Sequence, residues 1–354
     1  MLRDVRATLD RLVDEGREDG IQVAVYLDGE LVVDEVAGPV DHATPIFSYS
    51  TGKGLTATIV HILVEQGRLD YDLRIADVWP EFAARGKDRI TLRHALTHSA
   101  GVPQLPADIV PDDFTDWARM CAIVAGTEPL WEPGARHGYH AWTWGWLIGE
   151  TVRRATGLTM SEGLGLITGP LWTRGELFFG VPRGQVVAPL SDGGWSAALE
   201  QVSAHVEHFG LVSPPLVRPG AQFANRPDIL GADIPATGTV TARAIAKMYA
   251  ALIGEVDGVR LISPERLREV TAVATSGPDW VFGADARRSL GYTVEDGYFG
   301  WDGMGGSVAC AYPDLGLALA VTKTRMGTGE NDPADAIRAE IARSSRDRAR
   351  ATRG

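Results

Sequence analysis

Ser50 and Lys53 form a Ser-x-x-Lys motif, Ser50-Thr51-Gly52-Lys53, at the start of a segment with helical spacing. A serine hydroxyl becomes a useful nucleophile only when a neighbouring base takes its proton, and a residue three positions on lies one helical turn away on the same face. Lys53 is therefore within reach of Ser50. To accept a proton its amine must titrate below the ordinary value of about 10.4, which burial and a second nearby cation could bring about. A helix N-terminus would add free N–H groups and a positive dipole end beside the serine, favouring the oxyanion of acyl transfer. The alternative reading of the tetrapeptide alone is an N-capping serine followed by a solvated lysine.

Other chemistries find no support. The chain has no Gly-x-Ser-x-Gly elbow. Gly52-Lys53 is followed by Gly54 instead of Ser or Thr, and Phe47 stands where a phosphate loop has its first glycine. The run Gly163 to Gly169 has the wrong last spacing for a dinucleotide fingerprint. His94 and His98 are four apart on an expected helix and could share a metal, but the glutamate of a zinc-protease motif is missing between them.

The elements that must position Ser50 and Lys53 can be placed coarsely. Leu2, Val5, Leu9, Leu12 and Val13 predict a first helix ending near Gly16. Ile21 to Leu27 and Leu31 to Val36 predict a β-hairpin turned by Asp28-Gly29-Glu30. Residues 50 to 66 predict the nucleophile helix, with Gly67 as its left-handed cap. Further strands are expected at Leu290 to Val294, Ser307 to Tyr312 and Leu315 to Thr322, then a helix from Pro333 to Ser344 and an Arg-rich tail. Between these ends lie expected helices at 91–98, 114–125, 142–155, 239–253 and 264–272, whereas 158–236 is rich in Gly and Pro without clear period. If the terminal strands share one sheet, residues 1–75 and 260–354 make an α/β domain, 76–259 a mostly helical insertion, and a cleft opens between them.

Composition narrows the partners. The 354 residues are 45% hydrophobic and 23% charged, enough to bury a large core without a metal or disulfide staple. The net charge of −12 opposes attraction to nucleic acid. Only Cys121 and Cys310 are present, too few for a disulfide framework. No stretch reaches the roughly 18 apolar residues of a membrane span, and the N-terminal stretch lacks a signal peptide's apolar run, so a cytoplasmic protein with no lipid contact is expected.

Phe47-Ser48-Tyr49-Ser50-Thr51-Gly52-Lys53, with Leu63 to Asp70 after it, resembles the active-site segment of class C β-lactamases and their penicillin-binding-protein and esterase relatives. Thr91 to Gly101 is similar to that family's Leu-Leu-Thr-His-x-Ser-Gly helix and turn, which implies a structural role for His94 and His98 in place of metal binding. Trp131-Glu132-Pro133-Gly134 and Gly138-Tyr139-His140-Ala141 resemble the segment that carries the family's catalytic tyrosine. The resemblance implies the β-lactamase/transpeptidase-like fold, an α/β (α+β) arrangement of an antiparallel sheet flanked by helices with a helical insertion, and it places Ser50, Lys53 and Tyr139 in the catalytic roles. A phenol flanked by a lysine could then titrate below 10 and act as phenolate.

Two departures point away from β-lactams. Ala141 stands where the family's Tyr-x-Asn has its asparagine, and Trp301-Asp302-Gly303 stands where it has Lys/His-Thr-Gly. A tryptophan there resembles the family VIII carboxylesterases; it removes an anchor for a substrate carboxylate and supplies an apolar wall with one N–H donor. The resemblance further implies an oxyanion hole from the backbone N–H groups of Ser50 and Met304, with Gly303 permitting close approach and Trp301, Asp302, Gly303 and His140 contacting substrate. Trp131, Trp142, Trp144, Trp146, Trp172 and Trp195 could line an apolar cleft, though most are expected in the core. The expected reaction is cofactor-free hydrolysis of a small-molecule ester or amide through a Ser50 acyl-enzyme. An acyltransferase passing the acyl group to an amine or alcohol, a weak β-lactamase and a catalytically silent binding protein stand as alternatives, and oligomeric state is left open.

Overall fold

The computed structural model describes residues 4–295, 297–327 and 332–351; Leu2 of the expected first helix and the last three residues of the tail lie outside them. In chain order the strands are β1 (Ile21–Leu27), β2 (Glu30–Ala37), β3 (Ile46–Phe47), β4 (Leu177–Phe178), β5 (Thr239–Val240), β6 (Thr275–Pro278), β7 (Asp285–Arg288), β8 (Thr293–Glu295), β9 (Tyr298–Asp302), β10 (Val308–Tyr312) and β11 (Leu317–Lys323). Among the described residues, eight of them form one antiparallel sheet in the order β2-β1-β11-β10-β9-β8-β7-β6, so the two chain ends do share a sheet. β3, β5 and β4 make a small second sheet.

Alternation along the central strands sorts the core into two layers. On one face Ile21, Val23 and Val25 of β1 and Leu317, Leu319 and Val321 of β11 pack under the helices Val5–Asp14 and Pro333–Ala351. On the other, small side chains such as Ala24, Ala318 and Ala320 let the helix Ala242–Ile253 lie close against the sheet. That helix begins three residues later than expected because Thr239 and Val240 pair as β5, and Thr241 caps it by accepting the Ala244 N–H at 3.2 Å.

The sheet contains three strands that periodicity did not reveal. β6 and β7, Thr-Ser-Gly-Pro and Asp-Ala-Arg-Arg, lie at the sheet's edge and need no apolar alternation. β9 is hidden by its glycine: a Cβ at Gly300 would stand 2.3 Å from the Ala309 carbonyl oxygen on β10. Conversely, the strand expected from Leu290 starts only at Thr293, because Ser289 to Tyr292 form a turn with Gly291 at φ +93°. The 158–236 region folds into short helices and loops, and several of them reach the cleft described next.

Candidate active site

Ser50 lies in a 3₁₀ turn, Tyr49–Thr51, that runs directly into the helix Gly52–Glu65. The turn is held tightly. Tyr49 sits at φ +48°, and its hydroxyl is fixed by donating to the Gly220 carbonyl and accepting the Gly220 N–H, each at 2.7 Å. Gly52 is required by packing, since a Cβ there would stand 2.0 Å from the Thr237 backbone. The helix itself is buried on all sides from Gly52 to Leu63, which explains its run of apolar and hydroxyl residues without a polar face.

Inside this packing the Ser50 hydroxyl is 7% exposed and has two partners: Tyr139 Oη at 2.7 Å and Lys53 Nζ at 3.0 Å. Lys53 is fully buried, and its amine also donates to the carbonyls of Ala141 (2.8 Å) and Ala236 (3.2 Å). Burial, helped by the charge of Arg288, holds this amine well below its ordinary value. A neutral amine has two N–H donors and one lone pair. The two carbonyls can only accept, so they take the donors and leave the lone pair for the Ser50 proton.

Tyr139 departs from expectation. Burial pushes its phenol up to about 12, against the smaller opposing effects of Ser50 and Arg288. The expected phenolate is thus replaced by a neutral hydroxyl, because a neutral Lys53 brings no positive charge to lower it.

The third segment is β9 and the turn after it. Gly303 meets Ser48 so closely that a Cβ would stand 2.0 Å from the Ser48 carbonyl oxygen, and this brings Met304 to the cleft that holds Ser50. Trp301 packs over the Lys53 amine, 5.6 Å from ring centre to Nζ. Its indole N–H, expected to face substrate, donates instead to the Gly291 carbonyl at 2.7 Å. Asp302, expected to contact substrate, projects from the opposite side of β9 and accepts from Arg338 of the C-terminal helix at 2.8 Å. His140 also belongs to the scaffold: fully buried, it accepts the Val102 N–H on Nε2 and bonds the Gly138 carbonyl through Nδ1, and burial holds it neutral at about 4. Its backbone N–H in turn donates to Nδ1 of His98, so the histidine pair aligns the Tyr139 segment.

The walls of the cleft over Ser50 are apolar: Trp142, Phe209, Val212, Phe282 and Met304 line it together with Ala141. Phe209 and Val212 come from the aperiodic 158–236 region, where no sequence signal marked them. Of the six tryptophans considered, Trp142 lines this cleft, Trp195 lines an adjoining recess, Trp144 and Trp146 are core, Trp131 is buried, and Trp172 is 88% exposed. Sequence reading also missed Arg288 and Asp279. Their side chains are 7% and 2% exposed and paired at 2.8 Å, with the guanidinium 5.3 Å from the centre of the Tyr139 ring. Arg288 sits on β7, a short strand without apolar periodicity next to the sheet's edge, so only its type, not its pattern, could have drawn notice.

Comparison with known proteins identifies the family and the fold. Residues 5–343 match the family described as Beta-lactamase. The chain is 33% identical over 342 residues to the esterase/β-lactamase LipL of Mycobacterium tuberculosis, covering 88% of this chain and 78% of that protein. A family VIII carboxylesterase crystal structure superposes with a TM-score of 0.86 at 30% identity, covering 97% and 96% of the two chains. A penicillin-binding-protein homologue from Caulobacter crescentus superposes with a TM-score of 0.80 at 31% identity, covering 93% and 92%.

Proposed function

Because the chain belongs to the β-lactamase family, we propose that it is a serine carboxylesterase working through a Ser50 acyl-enzyme, with Lys53 as base and Tyr139 as proton relay. The observation that carries this reading is the Lys53 amine, whose only partner able to give up a proton is Ser50. Ser50 passes its proton to the Lys53 lone pair as Oγ attacks the ester carbonyl. The tetrahedral oxyanion is met by the backbone N–H groups of Ser50 and Met304. When the C–O bond to the alcohol breaks, the proton on Lys53 returns to the leaving alkoxide by way of the Tyr139 hydroxyl. Water then repeats the sequence on the acyl-enzyme and frees the acid. Every step uses side-chain and backbone groups of this protein, substrate and water.

Neutral esters fit the cleft better than β-lactams. Ala141 offers no amide to orient a lactam side chain, Trp301 offers no cation, and Arg288 is taken by Asp279. The family VIII carboxylesterase among the similar structures supports the same reading, while the relative LipL is named for both esterase and β-lactamase.

The test is intact mass over time after mixing the protein with p-nitrophenyl butyrate, beside Ser50→Ala, with and without an added amine. A butyryl adduct confined to chains with Ser50 and decaying in water alone is the expected result. An adduct that persists until the amine arrives, with a new amide formed, would make the protein an acyltransferase. No adduct, together with rapid turnover of a chromogenic cephalosporin, would replace the ester reading by a lactamase.

A further inference from the structure

Lys53 and Arg288 approach the same two aromatic rings. The Lys53 amine lies 5.1 Å from the centre of the Tyr139 ring and 5.6 Å from that of Trp301. The Arg288 guanidinium lies 5.3 Å and 5.9 Å from the same centres. Two cationic side chains sharing two rings in a buried site repel one another, and little solvent screens them. Only Arg288 has an acidic partner: Asp279 accepts from it at 2.8 Å, whereas the Lys53 amine meets two carbonyls and a hydroxyl. A guanidinium keeps its proton under all conditions in which the fold survives, so the repulsion is relieved by the lysine losing its own.

Asp279 does more than hold Arg288. Its Oδ1 accepts the backbone N–H groups of Tyr139 (3.2 Å), Val281 (2.9 Å) and Phe282 (3.3 Å). The same carboxylate therefore fixes the chain at Tyr139 and the turn that brings Phe282 to the cleft. The other titratable groups around Lys53 are Tyr139 itself and the histidines 98, 140 and 137; burial holds His98 and His140 neutral, and His137 stands 4.0 Å from Asp279.

We infer that Arg288, clamped by Asp279, is a positioning residue whose fixed charge behind Tyr139 and Trp301 keeps Lys53 in its neutral, proton-accepting form. The cation absent from position 301 is thereby supplied from β7, turned to the service of the base instead of the substrate. This deepens the esterase reading and rests on it for its consequence in catalysis, but the charge effect itself can be read without any substrate.

The chain has four lysines, Lys53, Lys87, Lys247 and Lys323, so side-chain NMR of protein labelled with ¹³C and ¹⁵N at lysine gives a spectrum in which Lys53→Met identifies the Lys53 signal. Its titration is followed in the wild type, Arg288→Met, Arg288→Lys and Asp279→Asn. Arg288→Met is expected to raise the Lys53 midpoint by about one pH unit, and Arg288→Lys to restore it. Asp279→Asn leaves the guanidinium unbalanced and is expected to lower the midpoint. A purely structural role would loosen the site and move Lys53 toward its ordinary value in both Arg288→Met and Asp279→Asn, so shifts of the same sign would overturn the proposal, as would no shift in Arg288→Met. If Asp279→Asn does not fold, Arg288→Lys decides, since only a charge effect returns the midpoint to the wild-type value; if Arg288→Met does not fold, the sign of the shift in Asp279→Asn decides. Because no ester is involved, these titrations stand whether or not p-nitrophenyl butyrate acylates Ser50. In parallel, the acid limb of kcat/KM should move upward in Arg288→Met and return in Arg288→Lys.

Discussion

The Lys53 amine stands 3.0 Å from Ser50 Oγ with carbonyl oxygens of Ala141 and Ala236 as its other two partners, an arrangement that orients a neutral amine's lone pair at the serine proton. Replacing Lys53 tests that orientation. Lys53→Arg keeps a cation but cannot become a base, and Lys53→Met keeps only the stem. Both are expected to lower kcat/KM for p-nitrophenyl butyrate by about 10³-fold or more. Activity retained within tenfold in either variant would remove Lys53 from the role of base.

The wild-type pH profile follows from the same pair. Lys53 is held well below its ordinary value by burial and Arg288, and it must be neutral to act, so kcat/KM rises with pH through its depressed midpoint. Tyr139 acts as a neutral hydroxyl and loses its proton only near 12, so the profile should stay level from that rise to pH 10. A fall in kcat/KM beginning below pH 9 in stable protein would contradict the neutral-phenol reading. Tyr139→Phe removes the relay without moving the rise and should cost on the order of 10²–10³-fold.

Trp301→Phe separates packing from substrate contact. The ring contact is kept, but the Gly291 carbonyl loses the indole N–H that it accepts at 2.7 Å. Thermal and urea unfolding should show a loss of about 1–3 kcal/mol with KM little changed. A large rise in KM without loss of stability would mean that the indole N–H serves the substrate after all.

Gly303→Ala asks whether the close approach of β9 to Ser48 is obligatory. Both atoms in the clash, the new Cβ and the Ser48 carbonyl oxygen, are fixed to the backbone at 2.0 Å. The variant should lose more than about 4 kcal/mol or fail to accumulate as folded protein.

Glu18 offers a pH signature away from the cleft. It is buried against Lys323 at 2.7 Å, and burial outweighs that partner and pushes the carboxyl from 4.5 up to about 7. Between those values the folded chain holds a proton that the unfolded chain has released, so this residue's contribution to stability falls as pH rises through the window. Glu18→Gln should therefore stabilise the protein above pH 7, by something on the order of 1–3 kcal/mol, and change it little near pH 4.5. Equal gains at pH 5 and pH 8 in thermal melts would refute the assignment.

By itself the sequence determined the local elements and the positions of the reactive groups. A hairpin at Ile21–Leu27 and Glu30–Ala37, a helix beginning at the Ser-x-x-Lys motif and strands closing the chain were legible because their periodicity and turn residues act over a few positions. The segments around Ser50, Tyr139 and Trp301 could be aligned to a family for the same reason. Tertiary structure alone decided how those groups behave. Whether Tyr139 is a phenolate or a phenol depends on burial, which a tripeptide does not reveal. Trp301 spends its N–H on Gly291, Asp302 turns to Arg338 and His140 bridges Val102 and Gly138 because their partners arrive from segments set by the packing of sheet and helices. Arg288, on the short strand β7 235 positions after Lys53, carries no local signal at all. Its influence is electrostatic, acts through space in a low-dielectric interior, and exists only once the chain has folded.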